Sequence, residues 1–286
     1  MSRRRRMNLA KIQKLIAEGR GQGAGPDYLP WKTIQECMSG DQRNRILGWK
    51  TGRQHDYFRL LELYYHYTLD WSPIVIDIQE HFPLLSFNFK LPLEETILIA
   101  KQCGIRHPID EESKGPIPLT TNFVITIQQS IGVKRLARTI IKASDLSKKR
   151  IIEMLEIERR FWLARGIDWG IITEHQIDID LAKNIDWVHP YRSSSTLLPL
   201  NEITIHGISK TLTQMISECS EPLNEVALNC DDRLGLEAGS SLAVARHLIA
   251  NRQWIVEMSQ PIHPSKKLAL LGTALEEAQL RRRSEG

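Results

Sequence analysis

A chain of 286 residues has room for two domains of ordinary size. Its 42% hydrophobic and 25% charged content is that of a globular chain with a real core, and it has no run of eighteen apolar residues, so the sequence offers no membrane-spanning helix. A net charge of +4 leaves room for a polyanionic partner without requiring one.

The N-terminus carries Arg3 to Arg6 and then a mixed helical pattern with no apolar h-region, so a secretory signal is not expected. Cysteines stand at 37, 103, 219 and 230. They form no CxxC pair and no Cys/His spacing suited to zinc, so the expectation is free thiols in a reducing cytoplasm. The basic runs Arg3–Arg6 and Arg281–Arg283 read as solvated tails, with weak phosphate contact as the alternative.

In chain order, residues 8 to 18 predict a short amphipathic helix with Leu9, Ile12, Leu15 and Ile16 on one stripe. The glycine-rich run 19–26 ends it, and Tyr28 to Trp31 resume packed structure. Residues 56 to 69 predict a helix capped by Asp56, with Tyr57, Leu60, Leu61, Tyr64 and Tyr65 on its apolar face and Glu62 beside that stripe. A β-branched run predicts a strand at 74–79, and a helix over 93–103 stops at Gly104. Strands at 122–128 and 135–142 flank a turn at Ser130-Ile131-Gly132. A long helix over 147–165, capped by Ser147 and stopped by Gly166, precedes a strand at 168–173. This order predicts an α/β domain, a mixed sheet flanked by helices, over residues 1–188.

Residues 189–199, rich in Ser and Pro, read as a linker. Beyond it, helical patterns near 200–219, 222–230 and 239–251 precede a strand at 254–258, a turn and the apolar run Leu268 to Gly272. Three helices and a β-hairpin predict a winged-helix-like α+β domain over 200–286. Arg246, His247 and Arg252 fall on or just after its third helix, where a protein surface and a DNA groove are equal readings.

The glycine run 19–25 has no GK[ST] and does not lead from a strand into a helix, so it reads as a flexible connector in preference to a phosphate cradle. Glu62, Asn122 and Lys142 come from a helix, a strand start and a neighbouring strand, and topology allows them to converge. Such a set suits phosphodiester hydrolysis, where carboxylates hold Mg2+ and a lysine faces the developing charge. Periodicity alone does not select them: read in isolation, Glu62 is a solvated helix acid and Lys142 a surface lysine. His66, His81 and His107 lack metal spacing and read as structural. Trp31, Trp71, Trp162, Trp169 and Trp187 read as core.

Several segments carry a resemblance. They are Glu18-Gly19-Arg20-Gly21-Gln22-Gly23, Asp27-Tyr28-Leu29-Pro30-Trp31, Lys50-Thr51-Gly52-Arg53, the run from Asp77 to Leu84, Gly104-Ile105-Arg106-His107-Pro108 and the run from Leu155 to Trp162. In order and spacing, over about residues 11 to 188, the chain resembles the TnsA family, the endonuclease subunits of heteromeric bacterial cut-and-paste transposases. Residues 231–272 resemble that family's C-terminal winged-helix domain more weakly.

The resemblance implies a restriction-endonuclease-like fold of the PD-(D/E)xK type. It implies Mg2+, with Mn2+ as its substitute, and cleavage of the 5′ strands at transposon-end DNA in the bacterial cytoplasm, at the nucleoid. A DDE-type transposase subunit cuts the 3′ strands, and an AAA+ ATPase regulator binds the C-terminal domain. By the same resemblance Glu62 is the catalytic, metal-binding glutamate and Lys142 the catalytic lysine, while Arg20, Arg43, Arg45, Lys50 and Arg53 are phosphate contacts.

Two positions depart from the family. Asn122 stands where a metal-binding aspartate is the pattern, and Ile140 stands where a glutamine precedes the lysine by two. Asparagine can lend a metal one carbonyl oxygen but no charge. Two expectations follow: a nuclease with Asn122 as a poor ligand, or a weakened or dead subunit kept for assembly. Asp110, Glu111, Glu112 and Glu80 are candidates for a substitute acid.

Overall fold

Strands of mixed direction form the centre of the first half of the chain. The computed structural model describes residues 7–36, 43–86 and 90–276, and the chain divides into two units after Ile177. The N-terminal unit contains α1 (Leu9–Ala17), β1 (Asn44–Leu47), β2 (Gln54–Tyr57), α2 (Leu60–Trp71), β3 (Val75–Pro83), α3 (Glu94–Gln102), β4 (Thr120–Gln128), β5 (Val133–Ile140), α4 (Lys149–Leu163) and β6 (Asp168–Ile172). The central sheet has the order β3-β4-β5-β6, with two antiparallel pairs and then a parallel one bridged by α4.

Both faces of this sheet are covered, which is why β4 reads as a continuous apolar run. Val124 and Ala137 pack under α3 and α4, against Ile99, Ile157, Phe161 and Trp162. Phe123 meets the rings of Tyr57 and Tyr65, 5.5 and 5.2 Å away, from β2 and α2. Trp162 buries its indole and donates to the Thr121 hydroxyl at 2.7 Å, so its one polar atom is satisfied. A satellite core forms where Ile12 and Leu15 of α1 meet Trp31, Leu85 and Leu93.

Three local expectations change. Residues 54–57 are a strand pairing antiparallel with β1, so the helix begins at Leu60. Asp56 caps nothing; its carboxylate binds Arg45 Nε at 2.9 Å and the Ile34 amide at 3.0 Å. Strand β5 ends at Ile140, which leaves Lys142 on the extended residue before a 3-10 turn at Ala143–Ser147. Helix α4 starts at Lys149 without a side-chain cap, and the Ser147 hydroxyl donates back to Ser144.

The glycine run is also not a loose connector. Gly21 and Leu29 are hydrogen-bonded across it, Gly25 N–H donates to Asp77, and Gln79 Nε2 donates to Gly23 O. A Cβ on Gly21 would stand 2.3 Å from Pro83, and its φ of +76° favours glycine, so close docking on β3 explains the residue.

The C-terminal unit contains α5 (Ile179–Val188), α6 (Glu202–Glu218), α7 (Leu223–Leu234), α8 (Ser240–Ala250) and an antiparallel pair, β7 (Trp254–Val256) with β8 (Leu270–Thr273). Three helices followed by two paired strands match the expected order, but α5 joins them, so the boundary falls at 177 rather than 188. Residues 189–199 are not an extended linker. They form 3-10 turns at His189–Tyr191 and Ser194–Leu197, and His189 and Leu197 are buried. Asp231 of α7, itself buried, accepts from the Gly239 and Ser241 amides and so ties down the start of α8.

Arg246 and His247 serve this packing. The Arg246 guanidinium donates to Trp187 O and lies 3.9 Å over the Tyr191 ring, and His247 Nδ1 meets Tyr191 O at 2.7 Å. Arg3–Arg6, Arg281–Arg283 and Cys37 lie outside the described residues. Among the described residues no helix is long and apolar enough to cross a membrane.

Candidate nuclease site

Glu62 sits in the first turn of α2, three residues past a cap position where Arg59 makes no side-chain cap. Its Oε2 reaches back to accept the Phe58 amide at 3.1 Å, just ahead of the cap position, and places a carboxylate in the helix's first turn. Its other oxygen accepts from Asn122 Nδ2 at 2.7 Å, and Glu62 is only 3% exposed. The reading of Glu62 as a solvated acid is therefore overturned: sheet and helix close over it.

Asn122 is fixed from both ends. Its Oδ1 accepts the Ile140 amide at 2.9 Å while its Nδ2 faces Glu62. The main-chain donor assigns the amide orientation, because an N–H cannot face another N–H. The atom Asn122 turns toward Glu62 is thus a nitrogen with no lone pair for a cation.

These residues line a cavity of about 570 Å3 that also includes His81, Thr139 and Glu158. Glu158, from α4, is buried, and burial pushes its carboxyl above the usual range although the Thr121 and Thr139 hydroxyls donate to it. His81 holds a left-handed φ of +49° within β3, with Nε2 2.9 Å from Asp56 O; burial lowers its pKa.

Lys142 is exposed and lines an adjoining cavity that shares Phe58, Arg59, Ile140 and Ile141 with the first. The structure therefore brings Glu62 and Asn122 into contact and sets Lys142 at the next opening. Mg2+ binds through oxygens, with carboxylates supplying the charge. Here each Glu62 oxygen already accepts a hydrogen bond, Asn122 turns a donor toward it, and burial raises the Glu158 carboxyl above its usual range. The residues present do not fit that ion, and among the described residues no cluster of three His, Cys, Asp or Glu side chains could hold a metal.

None of the candidate substitute acids lines either cavity. Asp110 accepts the Ser113 amide in its own loop and the Met7 amide from ahead of α1, and Glu111 and Glu112 are exposed in that loop. Glu80 is fully buried, with Arg53 forked onto its two oxygens at 2.8 and 2.5 Å. Arg53 is for the same reason withdrawn as a phosphate contact. Arg20 is half-buried and donates to Pro30 O and Trp31 O, and Arg45 pairs with Asp56. Arg43 is exposed, and Lys50 sits in the β1–β2 loop, where its backbone amide donates to Asp70.

The Arg53–Glu80 pair heads a buried polar chain that the sequence reading missed. His55 Nδ1 lies 2.8 Å from Glu80 Oε2 and its Nε2 2.7 Å from the Thr51 hydroxyl. Tyr57 OH meets His66 Nδ1 at 2.8 Å, and His66 Nε2 lies 3.2 Å from Asp70 Oδ2. Burial pushes His55 down to about 4 against the pull of Glu80. Burial alone would raise the Glu80 carboxyl, but His55 and Arg53 hold it well below the usual range. The signal available was the alternation of Arg53, His55 and Tyr57, a strand pattern in polar residues.

Both parts of the chain match known families in sequence. The family model described as TnsA-like endonuclease N terminal matches residues 72–174, a span that includes Asn122 and Lys142 and begins after Glu62. The model described as TnsA endonuclease C terminal matches residues 176–258. The transposon Tn7 transposition protein TnsA of Escherichia coli is 32% identical over 241 residues, covering 84% of this chain and 83% of that protein.

Proposed function

This chain belongs to the TnsA family of transposition endonucleases, and from that premise we propose that it works at transposon ends as an assembly subunit that does not cut their 5′ strands. The carrying observation is the Asn122 Nδ2 to Glu62 Oε1 hydrogen bond. A pair of carboxylates at that contact would repel unless a cation lay between them; the amide removes both the repulsion and the ligand. In this reading the N-terminal unit holds end DNA and meets a DDE-type transposase, in the bacterial cytoplasm at the nucleoid. The C-terminal unit, taken as a winged-helix module, carries the AAA+ ATPase contact.

A second reading, an Mg2+-dependent nuclease with Asn122 as a poor ligand, is favoured by Lys142, whose ammonium has no ion pair or hydrogen bond among the described residues. Strand-specific cleavage of a plasmid carrying transposon ends, with transposase, ATPase and Mg2+, separates the two. The assembly reading expects 3′ cuts alone from the native chain and added 5′ cuts from Asn122→Asp. Native 5′ cleavage would establish the nuclease instead.

A further inference from the structure

The cavity beside Lys142 has a built-in asymmetry. Its acids are committed: Asp145 pairs with Lys148 at 2.6 Å, and Glu174 accepts the Ala143 amide at 2.9 Å. Its cations are not. Lys142 and Arg59 act on Asp145 through space, yet neither charged group has an ion pair or hydrogen bond among the described residues. The same lining includes Tyr64, half-buried, whose ring and hydroxyl likewise have no partner among the described residues. The lining also includes the apolar Phe58, Leu61 and Ile141.

At about 840 Å3 the space lies within the range of roughly 300–1,000 Å3 usual for small-ligand pockets. An unpartnered aromatic ring sharing one cavity with two cations that make no ion pair among the described residues matches one chemistry well: a planar, apolar-faced base carrying a phosphate. A base inside a duplex keeps its faces stacked, so only an unpaired one can enter a recess of this kind. The shared walls Phe58, Arg59, Ile140 and Ile141 put that nucleotide next to the Glu62–Asn122 cavity.

The geometry points to a pocket for one unstacked nucleotide of the DNA end, with its base against Tyr64 and its phosphate between Arg59 and Lys142. This rests on the reading of the chain as a DNA-end subunit and adds that the end is locally opened on this protein. Methyl NMR of the full chain tests it, with Leu60, Leu61, Ile140 and Ile141 as reporters. The probes are a dT tetranucleotide, a blunt DNA hairpin and inorganic phosphate at matched phosphate concentration.

The tetranucleotide is expected to shift these methyls saturably, while hairpin and phosphate leave them in place. Tyr64→Leu should weaken the tetranucleotide about tenfold, the loss of one base–ring stack, with the remaining methyl spectrum unchanged. Tyr64→Phe should restore binding, and Arg59→Gln should flatten its salt dependence. Equal shifts from hairpin or phosphate, no shift with the tetranucleotide, or an unaffected Tyr64→Leu would each overturn the pocket. Hairpin binding elsewhere on the protein, with no cavity shift from the tetranucleotide, would overturn the pocket alone; no binding of either DNA would remove the DNA-end reading with it.

Discussion

Asn122 holds Glu62 with the atom that distinguishes it from aspartate: its amide nitrogen lies 2.7 Å from Glu62 Oε1, while its carbonyl oxygen is fixed 2.9 Å from the Ile140 amide. The contact joins the first turn of α2 to β4 and removes the need for a positive ion at that point.

Replacing Asn122 by Asp therefore exchanges a donor for a second carboxylate at a buried contact. Without divalent cation the variant should lose on the order of 1–3 kcal/mol of stability. Mg2+ or Mn2+ should raise its melting temperature and leave the native chain unmoved. Thermal melts with and without the ions check this, and an equal shift in both proteins would mean that Asn122 does not control metal binding.

Acid should weaken the N-terminal unit. The unfolded chain protonates His55 near pH 6.5, whereas the folded one resists until about 4. The unfolded state thus binds more protons in that window, and stability falls with pH by at most ~1.4 kcal/mol per unit. Glu80, held below its usual range, contributes stability that is present above the ordinary carboxylate pKa and lost as pH drops through its lower folded value. Urea unfolding at pH 7 and pH 5 should show the decline, and His55→Gln should flatten it. Equal native stability at both values would refute the assignment.

Arg246 is a packing residue of the C-terminal unit. Arg246→Ala removes the donors to Trp187 O and the guanidinium over Tyr191, and should cost about 2–3 kcal/mol. Amide exchange in α5 and α8 should accelerate. Unchanged exchange combined with weaker DNA binding would return Arg246 to the role of a groove contact.

The sequence carried elements whose signals are local. Gly104, Gly132 and Gly166 all take left-handed φ, at +65°, +75° and +63°, where a helix stop, a hairpin turn and another helix stop were read. It misled where polar residues are buried. Glu62, His66 and Asp70 recur every fourth residue on α2, the mark of a wet face, yet all are buried. Their partners come from other elements: Asn122 for Glu62, Tyr57 of the preceding strand for His66, and the Trp49 and Lys50 amides for Asp70. The same polar character hid β2 and drew the helix start back to Asp56. The meeting of Glu62 with Asn122 could be proposed from topology, but the identity of the facing atoms needed coordinates.

Because Ile140 grips Asn122 through its backbone N–H, any residue but proline at 140 would preserve that grip. The Ile140 side chain takes no part in this clasp. On the assembly reading, the difference between an acid-poor and an acid-bearing contact with Glu62 is one terminal group on residue 122, with no strand to move.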